Sequence, residues 1–99
     1  MRRLFLSSSA RTDLAEIAEY ISGAAGPLIA AKVIVRIRER CLLLAETAGE
    51  IGVERPELRE GVRSFPVPPH ILFFRFRADE VEIVRVLRER RDIESALTE

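Results

Sequence analysis

The second half of the chain contains three strand-like segments whose connections are too short for anything but an antiparallel arrangement. The segments cover residues 62–67, 70–76 and 81–87, and each is rich in β-branched or aromatic residues. Residues 68–69 separate the first two segments, and residues 77–80 separate the last two. Because a parallel pair needs a crossover of a dozen or more residues, these strands should pair with their chain neighbours as an antiparallel meander.

The first half of the chain changes from strand to helical periodicity near Ser7. Residues 3–6 form a short candidate strand, and the serines that follow are suited to capping a helix. Apolar residues then recur at helical spacing, which predicts a first helix running to about Ser22. The run GAAGP at 23–27 indicates a helix stop, and Pro27 is suited to a first helical position, so a second helix over 27–47 should pack antiparallel to the first.

These elements predict an α+β fold with the order β-α-α-β-β-β. It comprises an N-terminal strand, an antiparallel two-helix hairpin packed on a mainly antiparallel four-stranded sheet, and a short C-terminal turn or helix. That last element should begin near Arg88, with Asp92 as a candidate cap. Residues 49–61 are polar and rich in helix and strand breakers, which indicates a loop. With 99 residues, the chain is expected to form a single domain, 1–99.

Composition excludes several classes of protein. The 16 basic residues balance the 16 acidic ones, so binding that depends on an overall positive field, including direct DNA binding, is not expected. A single cysteine, Cys41, allows no internal disulfide, and with a single histidine, His70, the chain cannot assemble a zinc site from soft ligands. We therefore expect no metal, no cofactor and a reducing, cytoplasmic location. No apolar run approaches the ~20 residues needed to cross a bilayer, so no membrane association is expected.

Two parts of the pattern contain more apolar residues than one packed face requires. The second helix has two apolar stripes, and residues 71–74 do not alternate between apolar and polar as a half-exposed strand would. Either Leu72 and Phe74 or their neighbours must therefore point away from the helical hairpin. The chain's own terminal segments could cover that second surface, or a partner chain could do so, and the sequence leaves both open.

Residues suited to covalent chemistry are few. Cys41 lies on the apolar face of the second helix, where a core role is expected, and His70 at a strand start is expected to be a turn histidine. Arginines are the alternative, because Arg63, Arg75 and Arg85 lie on the strands and Arg88 follows the last one, and some of them could gather on the sheet and orient a phosphate for RNA cleavage. Pairing with Glu80, Glu82, Glu89 or Asp92 would neutralise part of that set.

Four strings carry a family resemblance. They are DLAEIAEYI at 13–21, IGVERPEL at 51–58, GVRSFPV at 61–67 and IVRVLRERRD at 83–92. In this order and at these spacings they resemble the ParE branch of the ParE/RelE superfamily of toxins from type II toxin-antitoxin systems, over nearly the whole chain.

The resemblance implies a binding inhibitor and not an enzyme. A ParE-like toxin would inhibit bacterial DNA gyrase and arrest growth, and a ParD-like antitoxin would neutralise it in a hetero-oligomer. The RelE branch implies ribosome-dependent mRNA cleavage instead, and a degenerate toxin would only bind antitoxin. The zero net charge favours ParE, as do Pro66 and Ile71 where RelE-like chains often have arginine. Tyrosines that are frequent in the family are replaced by His70 and Phe74, which disfavours hydroxyl-based chemistry. A frequent histidine is replaced by Arg88, which makes the terminal segment more basic than is usual in the family.

This interpretation assigns candidate residues to each role. Candidates for the gyrase contact are Arg85, Arg88, Arg90, Arg91 and Asp92. Candidates for the antitoxin contact are Leu28, Val35, Arg36, Arg40, Leu42, Leu72 and Phe74. The RNA-cleaving alternative uses Arg63, Arg75 and Arg88 as a basic site on the sheet.

Overall fold

The computed structural model describes residues 1–88 and Leu97, which form a strand, two helices and then four further strands. The elements are β1 Arg3–Leu6, α1 Ser8–Ala25, α2 Pro27–Glu46, β2 Val53–Glu54, β3 Arg63–Val67, β4 His70–Arg77 and β5 Glu80–Arg88. The predicted α+β fold is confirmed. The predicted C-terminal turn or helix lies outside the described residues.

The sheet has five strands in the order β1-β5-β4-β3-β2. The strand β1 runs parallel to β5, and the other neighbours are antiparallel. The prediction of four strands is wrong by one, because β2 forms inside segment 49–61, where Val53 pairs with Ser64. Arg63 holds this segment in place, since its guanidinium donates hydrogen bonds to the carbonyls of Ile51 and Gly52. A two-residue strand held by a distant side chain leaves no alternation for sequence analysis to detect.

The helical hairpin is defined by its caps. The hydroxyl oxygen of Ser7 accepts a hydrogen bond from the Ala10 N–H at 3.0 Å, which confirms the expected cap of α1. The helix continues to Ala25, one turn past the predicted end, because Gly23 is followed by two alanines, which favour helix. It ends at Gly26, whose φ of 94° is accessible to glycine at little cost.

Apolar side chains pack on both faces of the sheet. The face toward the hairpin forms one core cluster, which contains Ala10, Ile37, Cys41, Leu44, Ala45, Val67, Leu72, Phe74, Val81, Ile83 and Val86. The opposite face forms a second cluster, which contains Val62, Phe73, Val84, Leu87 and Leu97, with Leu58 and Ile71 packed against it. The strand β4 therefore contributes to both clusters, which explains why residues 71–74 do not alternate.

The expectation that Leu72 and Phe74 belong to an exposed apolar surface is wrong. Both side chains are fully buried, because they point toward the hairpin and pack in its core. Phe73 points to the other face, where Leu58 and Leu97 cover it. The chain thus covers the back of the sheet partly with its own C-terminal Leu97, which was one of the two options left open by the sequence, and partly with the 49–61 segment.

Candidate functional site

The outer face of α2 presents a line of exposed apolar side chains. Leu28, Val35 and Leu42 are 68%, 54% and 42% exposed. Their seven-residue spacing brings them to one side of the helix, over about 21 Å at ~1.5 Å per residue. We call these three residues the α2 stripe. Three of the predicted antitoxin-contact residues therefore lie together on the surface.

A groove of about 430 Å³ runs beside the α2 stripe, between β1, α1 and α2. Its lining is mainly apolar and consists of Leu4, Leu6, Leu14, Ala15, Ala18, Ile34, Arg38, Cys41 and Leu42. Leu42 belongs to both features, so the stripe and the groove form one continuous surface. The sequence indicated the second stripe on α2 but not the groove, because the groove requires three elements to be placed side by side.

Arg38 of α2 lines this groove and is exposed. Lys32, Arg36 and Arg40 lie across the α2 stripe from the groove, because successive residues of a helix are rotated by ~100°. Arg36 donates a hydrogen bond to the Pro68 carbonyl at 3.2 Å. Lys32 and Arg40 are exposed, and within residues 1–88 neither lies at ion-pair distance from a carboxylate.

Asp13 and Arg85 form an ion pair between α1 and β5. The Nε and Nη2 atoms of Arg85 donate to the two carboxylate oxygens of Asp13 at 2.7 and 2.9 Å. Asp13 Oδ2 also accepts from the Val86 N–H at 2.9 Å, and the residue is 4% exposed. Arg85, predicted as a gyrase contact, is thus committed to a structural pair. Asp13 was not predicted as part of this pair. The signal that could have identified it is its position three residues after Ala10 and four before Ile17, which places a carboxylate on the buried side of α1.

Arg88 and Tyr20 lie together at the end of β5. Arg88 is exposed, and its guanidinium carbon lies 6.0 Å from the centre of the Tyr20 ring. Tyr20 is itself 65% exposed. Beside them is a cavity of about 250 Å³, lined by Asp13, Glu16, Ile17, Tyr20, Ile21, His70, Val86 and Arg88. Arg88 was predicted as a contact residue, whereas Tyr20 was missed because it matched the family string without standing out chemically.

The three arginines of the predicted basic sheet site do not converge. Arg63 lies within 3.5 Å of Glu54 and bonds to the 50–52 backbone, while Arg75 Nε donates to Glu82 at 2.6 Å. Arg88 pairs in register with His70, five residues along β4 from Arg75, which is roughly 17 Å at ~3.4 Å per residue. Of the remaining gyrase candidates, Arg90, Arg91 and Asp92 lie outside the described residues.

The described side chains offer little for covalent or metal chemistry. Burial raises the pKa of the Cys41 thiol to about 11, so the nucleophilic thiolate is scarce at neutral pH. His70 is buried at the start of β4. Within residues 1–88 and Leu97 there is no group of three metal-ligating side chains, and neither helix is long and apolar enough to span a membrane.

These features define a small α+β protein with a helical hairpin on one face of the sheet and an exposed apolar groove suited to a macromolecular partner. The family model described as ParE toxin of type II toxin-antitoxin system, parDE, matches residues 4–93. The chain therefore belongs to the ParE toxin family. A solved structure described as the chromosomal ParDE TA system from P. aeruginosa is similar, with a TM-score of 0.77 and 30% identity over 89% of this chain and 96% of that chain. Comparison with curated proteins returned no match.

Proposed function

We propose that this toxin arrests growth by binding and inhibiting bacterial DNA gyrase, and that a ParD-like antitoxin neutralises it. The observation that carries the proposal is the match to the ParE toxin model over residues 4–93. The similar structure from P. aeruginosa, described as a ParDE system, supports an antitoxin partner. Gyrase acts on DNA in the cytoplasm, so the proposal also assigns the protein to that compartment.

The antitoxin would dock on the α2 stripe and the adjoining groove. Three apolar side chains at seven-residue spacing match the repeat of a partner helix, and the groove extends the contact toward β1. Arg38 lines the groove, and Lys32, Arg36 and Arg40 lie on the other side of the stripe. Cations on both sides favour a partner with acidic residues at the edges of its apolar face. Leu28, Val35, Leu42, Arg36 and Arg40 thus remain antitoxin-contact candidates, whereas the buried Leu72 and Phe74 do not.

The placement of the arginines favours inhibition by binding over RNA cleavage. An arginine site for phosphodiester cleavage would need several cations around one phosphate. Here Arg63 and Arg75 are paired with different carboxylates. Arg88 lies on β5 opposite His70, at the far end of β4 from Arg75. We therefore propose that the protein forms and breaks no covalent bond in its target.

A supercoiling assay tests the proposed target. Purified toxin added to gyrase and relaxed plasmid should block supercoiling, and prior addition of the cognate antitoxin should restore it. Normal supercoiling at excess toxin would contradict the proposal.

Mapping of mRNA ends after induction distinguishes the alternatives, because cleavage within ribosome-bound codons would indicate a RelE-like enzyme. Tight antitoxin binding with no growth arrest would indicate a degenerate toxin.

The docking surface is tested by charge reversal at an exposed site. Arg38→Glu should weaken antitoxin binding, because it replaces a cation that lines the groove with an anion. Arg77→Glu is the control, since Arg77 is an exposed arginine on β4. Because Arg77 also lies 3.7 Å from Glu82, thermal unfolding of both variants is compared with that of the wild type. Equal antitoxin affinity for both variants, measured by titration calorimetry, would exclude Arg38 from the interface.

A further inference from the structure

Arg88 differs from the other strand arginines because its charge is not neutralised within the described chain. Arg63, Arg75 and Arg85 each lie at ion-pair distance from a carboxylate. Within residues 1–88 and Leu97, Arg88 contacts no carboxylate, and its guanidinium lies instead over the ring of Tyr20. An exposed guanidinium held against an aromatic ring is available to a carboxylate from outside the chain.

Tyr20 provides the second half of the site. Tyr20 is 65% exposed, so most of its apolar ring stays in contact with water unless a partner covers it. Burial of that ring by a partner would be favourable. Tyrosine and arginine are also the residue types that most often dominate binding energy at protein interfaces. The adjoining cavity of about 250 Å³ has apolar walls from Ile17, Ile21 and Val86, and can accept an apolar side chain beside the Tyr20 ring.

We infer that Tyr20, Arg88 and the adjoining cavity form a second protein-binding surface, which takes a partner segment that carries a carboxylate next to an apolar side chain. The carboxylate pairs with Arg88 while the apolar side chain enters the cavity and contacts Tyr20. This inference rests on the proposed function in that the partner assigned to the surface is the toxin's target protein. Nucleic acid fits less well, because Glu16 also lines the cavity and offsets the charge of Arg88.

This second surface and the antitoxin groove lie on two sides of α1. Leu14 and Ala18 line the groove, whereas Ile17 and Ile21 line the cavity. Since the two surfaces share no lining residue, substitutions at one should leave the other intact. Single substitutions should therefore weaken target binding and antitoxin binding separately.

The experiment compares four variants of the full chain with the wild type. Tyr20→Ala and Arg88→Ala remove the two exposed contacts, Tyr20→Phe keeps the ring as a matched control, and Arg38→Ala changes the groove on the α2 side. Each is tested for growth arrest after induction, inhibition of gyrase supercoiling, affinity for the antitoxin and thermal unfolding. Because both target-side residues are exposed, all variants should unfold within a few degrees of the wild type.

We expect Tyr20→Ala and Arg88→Ala to raise the concentration needed for inhibition by about tenfold or more, as is typical of interface anchors. Their antitoxin affinity should stay within about twofold of the wild type, since they lie outside the groove. Tyr20→Phe should act like the wild type. Arg38→Ala should keep full inhibition and lose antitoxin affinity.

The outcomes separate this inference from the proposed target. If the wild type blocks supercoiling and Tyr20→Ala and Arg88→Ala block it equally well, the second surface is wrong while gyrase inhibition stands. If the wild type arrests growth without affecting gyrase, the proposed target is wrong, and loss of arrest in the two variants would still support the surface. If Tyr20→Ala and Arg88→Ala lose antitoxin affinity and still arrest growth, the occupant of the surface is the antitoxin and the inference is overturned. If the same two variants lose an mRNA-cleaving activity, the occupant is RNA and the inference is likewise overturned.

Discussion

Asp13 and Arg85 show how far residue-level prediction from this sequence could reach. They lie 72 positions apart, yet form a two-point ion pair that also binds the Val86 N–H. The sequence indicated that nearby carboxylates would neutralise part of the arginine set, and Arg75 does pair with Glu82. The partner of Arg85 could not be predicted, because it depends on how α1 crosses the sheet and not on any local spacing.

Removing the Asp13 carboxylate should destabilise the fold. We expect Asp13→Ala to lower the free energy of unfolding by about 3 kcal/mol, because it leaves Arg85 and the buried Val86 N–H without their acceptor. Asp13→Asn should cost less, since an amide oxygen can still accept from Val86. Urea unfolding measures both. Glu16→Ala, which removes an exposed carboxylate from the same helix, is the control, and an equal loss for Asp13→Ala and Glu16→Ala would contradict this role.

The buried thiol of Cys41 should make stability fall at alkaline pH. Its pKa is raised from 9.0 to about 11 by burial, so the thiol is neutral in both folded and unfolded chains below pH 9. As pH rises further, the unfolded chain ionises first and is favoured, which should lower the free energy of unfolding by about 2 kcal/mol by pH 11. Cys41→Ala should be less stable at neutral pH but lack this component. If urea unfolding of both proteins shows the same decline between pH 9 and 11, the thiol is not its cause.

At the scale of elements, the sequence was sufficient where an element is long and periodic. The pattern predicted both helices and the three long antiparallel strands, with the start of α2 at Pro27 and of β4 at His70 as observed. It failed at β2, which exists because Arg63 and Ser64 hold a polar segment against β3. The pattern also could not predict the irregularity in β5. The register shifts between Phe73 and Phe74, so that no residue of β4 lies opposite Val84 in the ladder. Such bulges arise from three-dimensional packing and have no pattern of their own.

The α2 stripe gives a prediction that depends on helix geometry alone. Leu42 and Leu43 are adjacent and about equally exposed, at 42% and 40%, but only Leu42 belongs to the stripe and lines the groove. Leu42→Glu should weaken antitoxin binding by about tenfold or more, because it puts an uncompensated charge into an apolar contact. Leu43→Glu should have a much smaller effect, since its side chain points about 100° away around the helix. Both variants are checked for folding by circular dichroism. Equal losses of antitoxin affinity for the two variants would mean that the antitoxin does not bind specifically to the α2 stripe.

At the scale of the whole molecule, the sequence posed a question that only the tertiary structure could answer. The apolar run in β4 required cover on both faces of the sheet, and either the chain or a partner could supply it. The structure assigns the back face to Leu58 and Leu97, while the α2 stripe stays exposed. The need for a partner therefore belongs to the helical hairpin and not to the sheet, which is why Leu72 and Phe74 were misplaced as contact residues.

Leu97 should therefore matter for stability although it lies only two residues before Glu99. Its side chain is fully buried against Phe73 and Leu87, and its carbonyl accepts a hydrogen bond from Arg59. Leu97→Ala should lower the free energy of unfolding by about 2 to 5 kcal/mol through lost burial and the cavity left behind. Leu28→Ala, at an exposed leucine of the α2 stripe, should have little effect on the free energy of unfolding and should instead weaken antitoxin binding. If chemical denaturation shows no greater loss for Leu97→Ala than for Leu28→Ala, the back of the sheet is not closed by the chain itself, and a partner must be sought on that face as well.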